Sequence, residues 1–194
     1  MTERELAWSI ERFFRENGSQ ILPFDIIVAA GPNGAMAHHK PGARPIAAGE
    51  PVVVDLGGRA NGYCSDLTRT LYIGKPDDKY RRIYDLVLGA QLIAIATIKV
   101  DMTGEEADRL ARNVIEQGGH GDAFGHSLGH GIGMVPHELP RLGANSKDRL
   151  VPGMVFTIEP GIYISGWGGV RIEDMAVLEP AGPRLLTHAR KVLD

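Results

Sequence analysis

Residues 52–72 read VVVDLGGRANGYCSDLTRTLY. A β-branched apolar run ends at Asp55, a glycine-rich break covers Gly57 to Gly62, and a strand-like pattern resumes from Tyr63 to Leu71. Glycine and asparagine supply the positive φ that hairpin turns need. Folding the stretch between Ala60 and Asn61 sets residue numbers summing to 121 opposite one another, so that Asp55 faces Asp66. Such a pair has Cβ atoms roughly 4.5–5.5 Å apart. Two like charges in an apolar setting are costly unless a cation lies between them.

A second stretch repeats the device. FTIEPGIY (156–163) and GVRIEDM (169–175) are joined by a glycine-rich turn, and folding about Gly166 sets Glu159 opposite Glu173. Between the two hairpins lies GHSLGHGIGMVPHE (125–138), with His130 at its centre. Hard oxygen donors and one imidazole nitrogen suit divalent ions such as manganese, cobalt or zinc. Asp55, Asp66, His130, Glu159 and Glu173 are therefore the expected metal ligands. The glycines around His130 lack the lysine and the strand-to-helix setting of a phosphate-binding loop.

The repetition extends to the helices. Residues 1–18 align without gaps on 102–119, with Met1, Thr2, Glu5 and Gly18 matching Met102, Thr103, Glu106 and Gly119. Each copy reads as a threonine-capped helix. Helices are expected over Thr2–Glu16, Lys79–Lys99 and Thr103–Gln117, and strands at Phe24–Ala30, across 52–72, and around His130, Val155 and Val170. Helices grouped ahead of antiparallel hairpins indicate an α+β fold, with helices covering one face of a curved antiparallel sheet. One domain over 1–194 is expected, with pseudo-symmetric halves of about 1–100 and 101–194. The first half has one helix where the second has two, so a partner helix is expected to be absent from the start of the chain.

Composition narrows the function classes. A net charge of −3 gives no electrostatic case for nucleic acid or an anionic membrane. The single cysteine, Cys64, excludes an internal disulfide framework and points to the cytoplasm; it reads as buried packing. The apolar segment Leu86–Ile98 is too short to span a bilayer and is interrupted by Gln91.

GYCSDLTRT, GHSLGHGIG, TIEPGIY and VRIED together resemble the metallopeptidase family of methionine aminopeptidase, prolidase and aminopeptidase P, and within it the Xaa-Pro peptidase branch. The resemblance runs from Thr2 to about Leu186. It implies the pseudo-twofold pita-bread fold and a two-metal site, with manganese the favoured ion. Asp55 would chelate one ion and His130 with Glu159 the other, while Asp66 and Glu173 bridge both around a water or hydroxide. Glu159 would shuttle protons. His38 would contact substrate, His137 would steady the scissile carbonyl, and His126 would shape the proline-side pocket. Arg171 would orient the carboxylates, as would Thr68. His39 competes with His38 for the first of these roles, and His126 with a simple packing role.

The implied activity is hydrolysis of the bond before proline in small proline-containing peptides, by a chain that forms a homodimer in some relatives. The sequence departs from the branch at Ala37, where proline is common, and at Pro136. The N-terminal cap domain of such enzymes is not evident. Two rivals are a methionine aminopeptidase-like activity and a metal-binding, weakly active or non-catalytic peptide-binding fragment.

Overall fold

The computed structural model describes residues 1–191, so positions 192–194 of the expected domain lie outside the described residues. Helix α1 (Glu3–Glu16) starts at a reciprocal cap: Glu5 N donates to Thr2 Oγ1 at 3.3 Å, and Thr2 N donates to the Glu5 carboxylate at 2.8 Å. Helix α3 (Gly104–Gln117) opens in the same way, with Thr103 and Glu106 at 3.2 and 2.7 Å. Each box satisfies two backbone donors that a helix start leaves without partners. The likeness continues outward. Ile46 N donates to Met1 O as Leu150 N does to Met102 O, and Glu3 N donates to Arg44 O as Gly104 N does to Asp148 O. Helix α2 (Asp78–Thr97), capped by Asp77, ends two residues before the expected Lys99.

The strands are β1 (Ile27–Ala30), β2 (Pro51–Leu56), β3 (Arg59–Ala60), β4 (Tyr63–Cys64), β5 (Leu67–Tyr72), β6 (Gly129–Gly131) and β7 (Glu138–Leu142). They continue with β8 (Val155–Ile158), β9 (Gly161–Ile164), β10 (Gly168–Arg171), β11 (Asp174–Glu179) and β12 (Gly182–Leu185). All strand pairs are antiparallel, in a three-stranded sheet ordered β1-β2-β5, a five-stranded sheet ordered β12-β11-β8-β6-β7, and two ribbons, β3-β4 and β9-β10. The expected strand from Phe24 begins only at Ile27.

Helix α1 lays Leu6, Ala7, Ile10 and Phe14 against Val28, Val52 and Val54 of the three-stranded sheet. Helices α2 and α3 contribute Ala90, Ala94, Ala107 and Ala111, all with no exposed surface, to a larger core with Phe156 and Ile158 of β8. Fully burying one such large apolar side chain is worth about 1.5–3 kcal/mol. Among the described residues no helix is long and apolar enough to cross a membrane.

The two hairpins differ in how well their register was foreseen. In the second, Gly168 pairs with Ile164 and Arg171 with Gly161, and beyond a break Asp174 pairs with Ile158; each pair sums to 332. Glu159 and Glu173 sum to the same value, so folding about Gly166 was right. In the first, Asp55 pairs with Thr68 and Ala60 with Tyr63, sums of 123 rather than 121. The turn residues are Asn61 and Gly62, at φ 50° and 85°, the two positive values a two-residue hairpin loop demands. Ala60 cannot take that place cheaply. Asp55 therefore faces Thr68, and Asp66 lies diagonally across on the same face.

The ribbon β9-β10 comes against the turn at Gly31–Ala35 with a close backbone-to-backbone approach between Gly34 and Gly169. A Cβ at Gly169 would lie 2.1 Å from Gly34 O, so only glycine fits there. This contact brings the segment carrying His38 over the hairpins.

Candidate functional site

One cleft of about 1280 Å³ is lined by nine of the ten residues singled out from sequence: His38, Asp55, Asp66, His126, His130, His137, Glu159, Arg171 and Glu173. Thr68 lies behind it with no exposed surface. At the centre, Asp66, His130 and Glu173 each offer a ligand atom within 4.8 Å of the others, a spacing able to hold a metal ion. His130 Nε2 lies 3.2 Å from Glu159 Oε1 and 3.8 Å from Asp66 Oδ2. Its Nδ1 donates to Gly131 O at 3.1 Å, which leaves Nε2 as the atom facing the acids.

Two of the acids, Asp55 and Glu173, are each gripped by one oxygen and free at the other. Asp55 Oδ2 accepts from Arg171 Nη2 at 2.6 Å, and Glu173 Oε2 accepts from Thr68 Oγ1 at 2.6 Å. Asp55 Oδ1 and Glu173 Oε1 are buried without a hydrogen-bond partner. Buried carboxylate oxygens normally have partners, so these two orphans mark where a cation fits. Glu159 accepts from Thr157 Oγ1 at 2.9 Å, and that hydroxyl also accepts from His130 N at 3.1 Å.

The electrostatics follow from the crowding. Burial, then the charge of Asp55, pushes the Asp66 carboxyl up to about 9. Burial and the Asp66 charge hold Glu173 well above the usual carboxylate range. Burial raises Asp55 too, with the Arg171 charge pulling the other way. Burial would also raise Glu159, but its hydrogen bond with His130 and the charge of that ring bring it below its ordinary value. For His130, burial is outweighed by the same Glu159 contact and the ring is raised. Without positive charge between them, the four acids cannot all ionise together.

Arg171 is a buried hub, only 3% exposed. Besides Asp55 it donates from Nε to Thr68 Oγ1 at 3.0 Å, and from Nη1 to Tyr163 OH at 2.8 Å and Ala37 O at 3.3 Å. Thr68 passes this order on to Glu173. Tyr163 OH in turn meets His126 Nε2 at 2.8 Å, while His126 Nδ1 donates to Ser127 O at 2.8 Å. Burial lowers His126, which keeps the ring neutral and Nε2 an acceptor. Cleft-wall and packing roles thus coincide in His126.

His137 is exposed and lies against His130, ring centroids 4.0 Å apart; burial and then the charge of His130 lower it. His38 is exposed in the cleft, whereas His39 is engaged by Glu3 at 2.9 Å, which separates the two neighbours. Cys64 is 5% exposed and packs with Ile132 and Met175, as expected.

Three residues escaped the sequence reading. Tyr163 had a signal, because strand parity from Glu159 through Gly161 places it on the same face. Thr157 had the same parity and went unread. Gln91 looked like an interruption in an apolar helix. Its Nε2 reaches Ile158 O, Ile172 O and Asp174 Oδ2, each at 3.1 Å, and so ties together the residues just before both glutamates.

Many known proteins resemble this chain in sequence and fold. The Xaa-Pro dipeptidase of Pyrococcus furiosus is 44% identical over 98% of this chain and 55% of its own length. The solved Xaa-Pro dipeptidase from Bacillus anthracis superposes with a TM-score of 0.97 at 46% identity, over 100% of this chain and 54% of that one. The X-Pro aminopeptidase from Thermotoga maritima gives 0.96 at 40% identity, over 99% and 55%. The chain spans about half the length of the curated relatives it matches. The architecture is that of these solved structures, the pita-bread fold. Residues 1–180 match the model of metallopeptidase family M24, and the chain belongs to that family.

Proposed function

We propose that this chain is the catalytic portion of a dinuclear-metal exopeptidase that hydrolyses the peptide bond before proline. The observation that carries the reading is the pair of orphaned buried oxygens, Asp55 Oδ1 and Glu173 Oε1, beside a three-residue group with ligand spacing. Asp55 and the pair His130–Glu159 would hold separate ions, with Asp66 and Glu173 shared. Two divalent ions there would supply Lewis-acid polarisation of the scissile carbonyl and an activated water. Manganese is the preferred ion, with cobalt or zinc compatible with the same donors.

The remaining steps belong to the chain's own residues. Glu159, drawn to lower pKa by His130, takes a proton from the attacking water and delivers it to the leaving amine. His137, at the rim beside His130, donates to the carbonyl oxygen as charge develops there. His38 holds the substrate from the opposite wall, and His126 with Tyr163 closes the side that receives proline. Arg171 and Thr68 fix Asp55 and Glu173 in place. The internal likeness of α1 and α3 supports two related halves within one catalytic unit. The single cysteine supports a cytoplasmic location, and small proline-containing peptides are the expected partners.

The test is hydrolysis of Xaa-Pro dipeptides and Xaa-Pro-containing tripeptides by metal-reconstituted protein, beside a chelated control and Met-Ala-Ser. Metal-dependent cleavage before proline is expected. Faster cleavage of Met-Ala-Ser would assign a methionine aminopeptidase-like activity. Metal binding with little or no turnover would assign the metal-binding fragment, weakly active or non-catalytic respectively.

A further inference from the structure

Glu3 lies outside the acid cluster, in the first turn of α1, with no exposed surface. A carboxylate in a first turn complements the helix dipole while solvated, which explains exposed Glu5 but not a buried Glu3. Its partners do. Oε1 accepts from Ala30 N and from Asn33 Nδ2, each at 2.9 Å; Oε2 accepts from Gly42 N at 3.1 Å and meets His39 Nε2 at 2.9 Å. Burial alone would raise its pKa, yet these contacts hold it below the usual range.

All four partners lie on one segment, residues 30–42. Glu3 grips its two ends at Ala30 and Gly42 and its interior at Asn33 and His39. The segment has other ties: Ala30 pairs with Val52, Arg4 N donates to Gly42 O at 3.0 Å, and Gly34 lies against Gly169. Inside it are a turn at Gly31–Ala35 and single backbone bonds from Met36 to Asn33 and from His39 to Met36. Glu3 is the side chain that joins both ends to the interior. Within it, Ala37 O receives Arg171 Nη1 and His38 faces the cleft. The other half of the molecule uses the same device. Buried Asp108 on α3 accepts from Leu128 N at 2.9 Å and binds Arg112, which donates to Phe124 O and His126 O.

We propose that Glu3 is a positioning residue, which clamps the 30–42 segment so that His38 and the Ala37 carbonyl meet the cleft in one geometry. Its effect on turnover rests on the Xaa-Pro peptidase reading; its effect on the segment does not.

The experiment compares the metal-loaded full chain with Glu3→Gln, His38→Ala and the double variant, with Glu3→Ala as a more severe version. Amide exchange at Ala30 and Gly42 should accelerate at least about tenfold in Glu3→Gln, the scale of a lost hydrogen bond to a charge. Metal content should be unchanged. For an Xaa-Pro dipeptide, kcat/KM should fall about tenfold, chiefly through KM, because misplacement of a contact group is felt in substrate binding. In the His38→Ala background the same substitution should cost less than about twofold, because both changes disable one unit. Unaltered exchange at both amides would overturn the clamp. Full additivity with His38→Ala would overturn its action through His38. If the unmodified chain cleaves no Xaa-Pro peptide, the functional reading fails while the exchange result still decides the clamp.

Discussion

Thr68→Val removes one hydroxyl and keeps a β-branched residue in strand β5. That hydroxyl donates to Glu173 Oε2 at 2.6 Å and accepts from Arg171 Nε at 3.0 Å. Glu173 Oε1 has no partner already, so the substitution strips the glutamate of its hydrogen bond and orphans one face of a buried guanidinium. Burial, then the Asp66 charge, holds the Glu173 carboxyl well above its ordinary pKa, and the hydrogen bond itself is worth about 0.5–1.5 kcal/mol net. An unsatisfied buried donor costs about 1–3 kcal/mol more. The two losses share an atom and do not simply add; together they come to about 3 kcal/mol. For a chain of this size the melting temperature falls by about 2–4 °C per kcal/mol, which predicts a drop of about 6–12 °C. Loss of a partner that orients a ligand should also weaken metal binding about 10–100-fold. Scanning calorimetry with chelator, followed by a manganese titration, measures both. A melting temperature within about 2 °C of the parent, with unchanged affinity, would refute the idea that the Arg171–Thr68–Glu173 link holds the site together.

Asp66→Ala and Glu173→Ala should each abolish loading of at least one ion, and elemental analysis returning two ions per chain would rule out their shared role. His137→Ala should leave metal content intact and lower turnover of an Xaa-Pro dipeptide by about 10²–10⁴, the usual scale for a lost proton or oxyanion partner. The stability of metal-free protein should fall as pH rises. Asp66 is raised to about 9 and Glu173 also lies high, so between the ordinary carboxylate range and pH 9 the folded chain binds more protons than the unfolded one. Each extra proton contributes a slope of about 1.4 kcal/mol per pH unit. Saturating metal should flatten that slope, and melting curves from pH 5 to 9 with and without chelator would show it. Equal slopes would mean that these acids do not titrate as the crowding requires.

Much of this was legible in the sequence for reasons that can be traced to particular residues. Glu159 and Glu173 were placed correctly because the turn around Gly166 is symmetric about its glycine. The aspartate hairpin slipped by two because the fold was centred between Ala60 and Asn61, whereas the Asn61–Gly62 pair takes positive φ at both turn places. Face assignment survived the slip, since a shift of two preserves strand parity. Arg171 came from the family resemblance rather than from the strand pattern. Gln91 and Glu3 were not found, because their partners lie far away in the chain: Gln91 bonds residues 67, 81 and 83 positions off. A glutamine in an apolar helix and an acid in a first turn have ordinary local explanations. Only the tertiary fold shows that those explanations fail.

Gln91 carries a further consequence. Its amide spans the backbone immediately upstream of the two glutamates, from the side of the sheet that α2 covers. The gap between those carboxylates is therefore gauged from behind, by a side chain that never meets the cleft. Reseating α2, for instance by enlarging Ala90 or Ala94, should alter which ionic radius the pocket prefers while every residue facing substrate stays the same. Selection among divalent ions would then be as much a property of the helix layer as of the donors themselves.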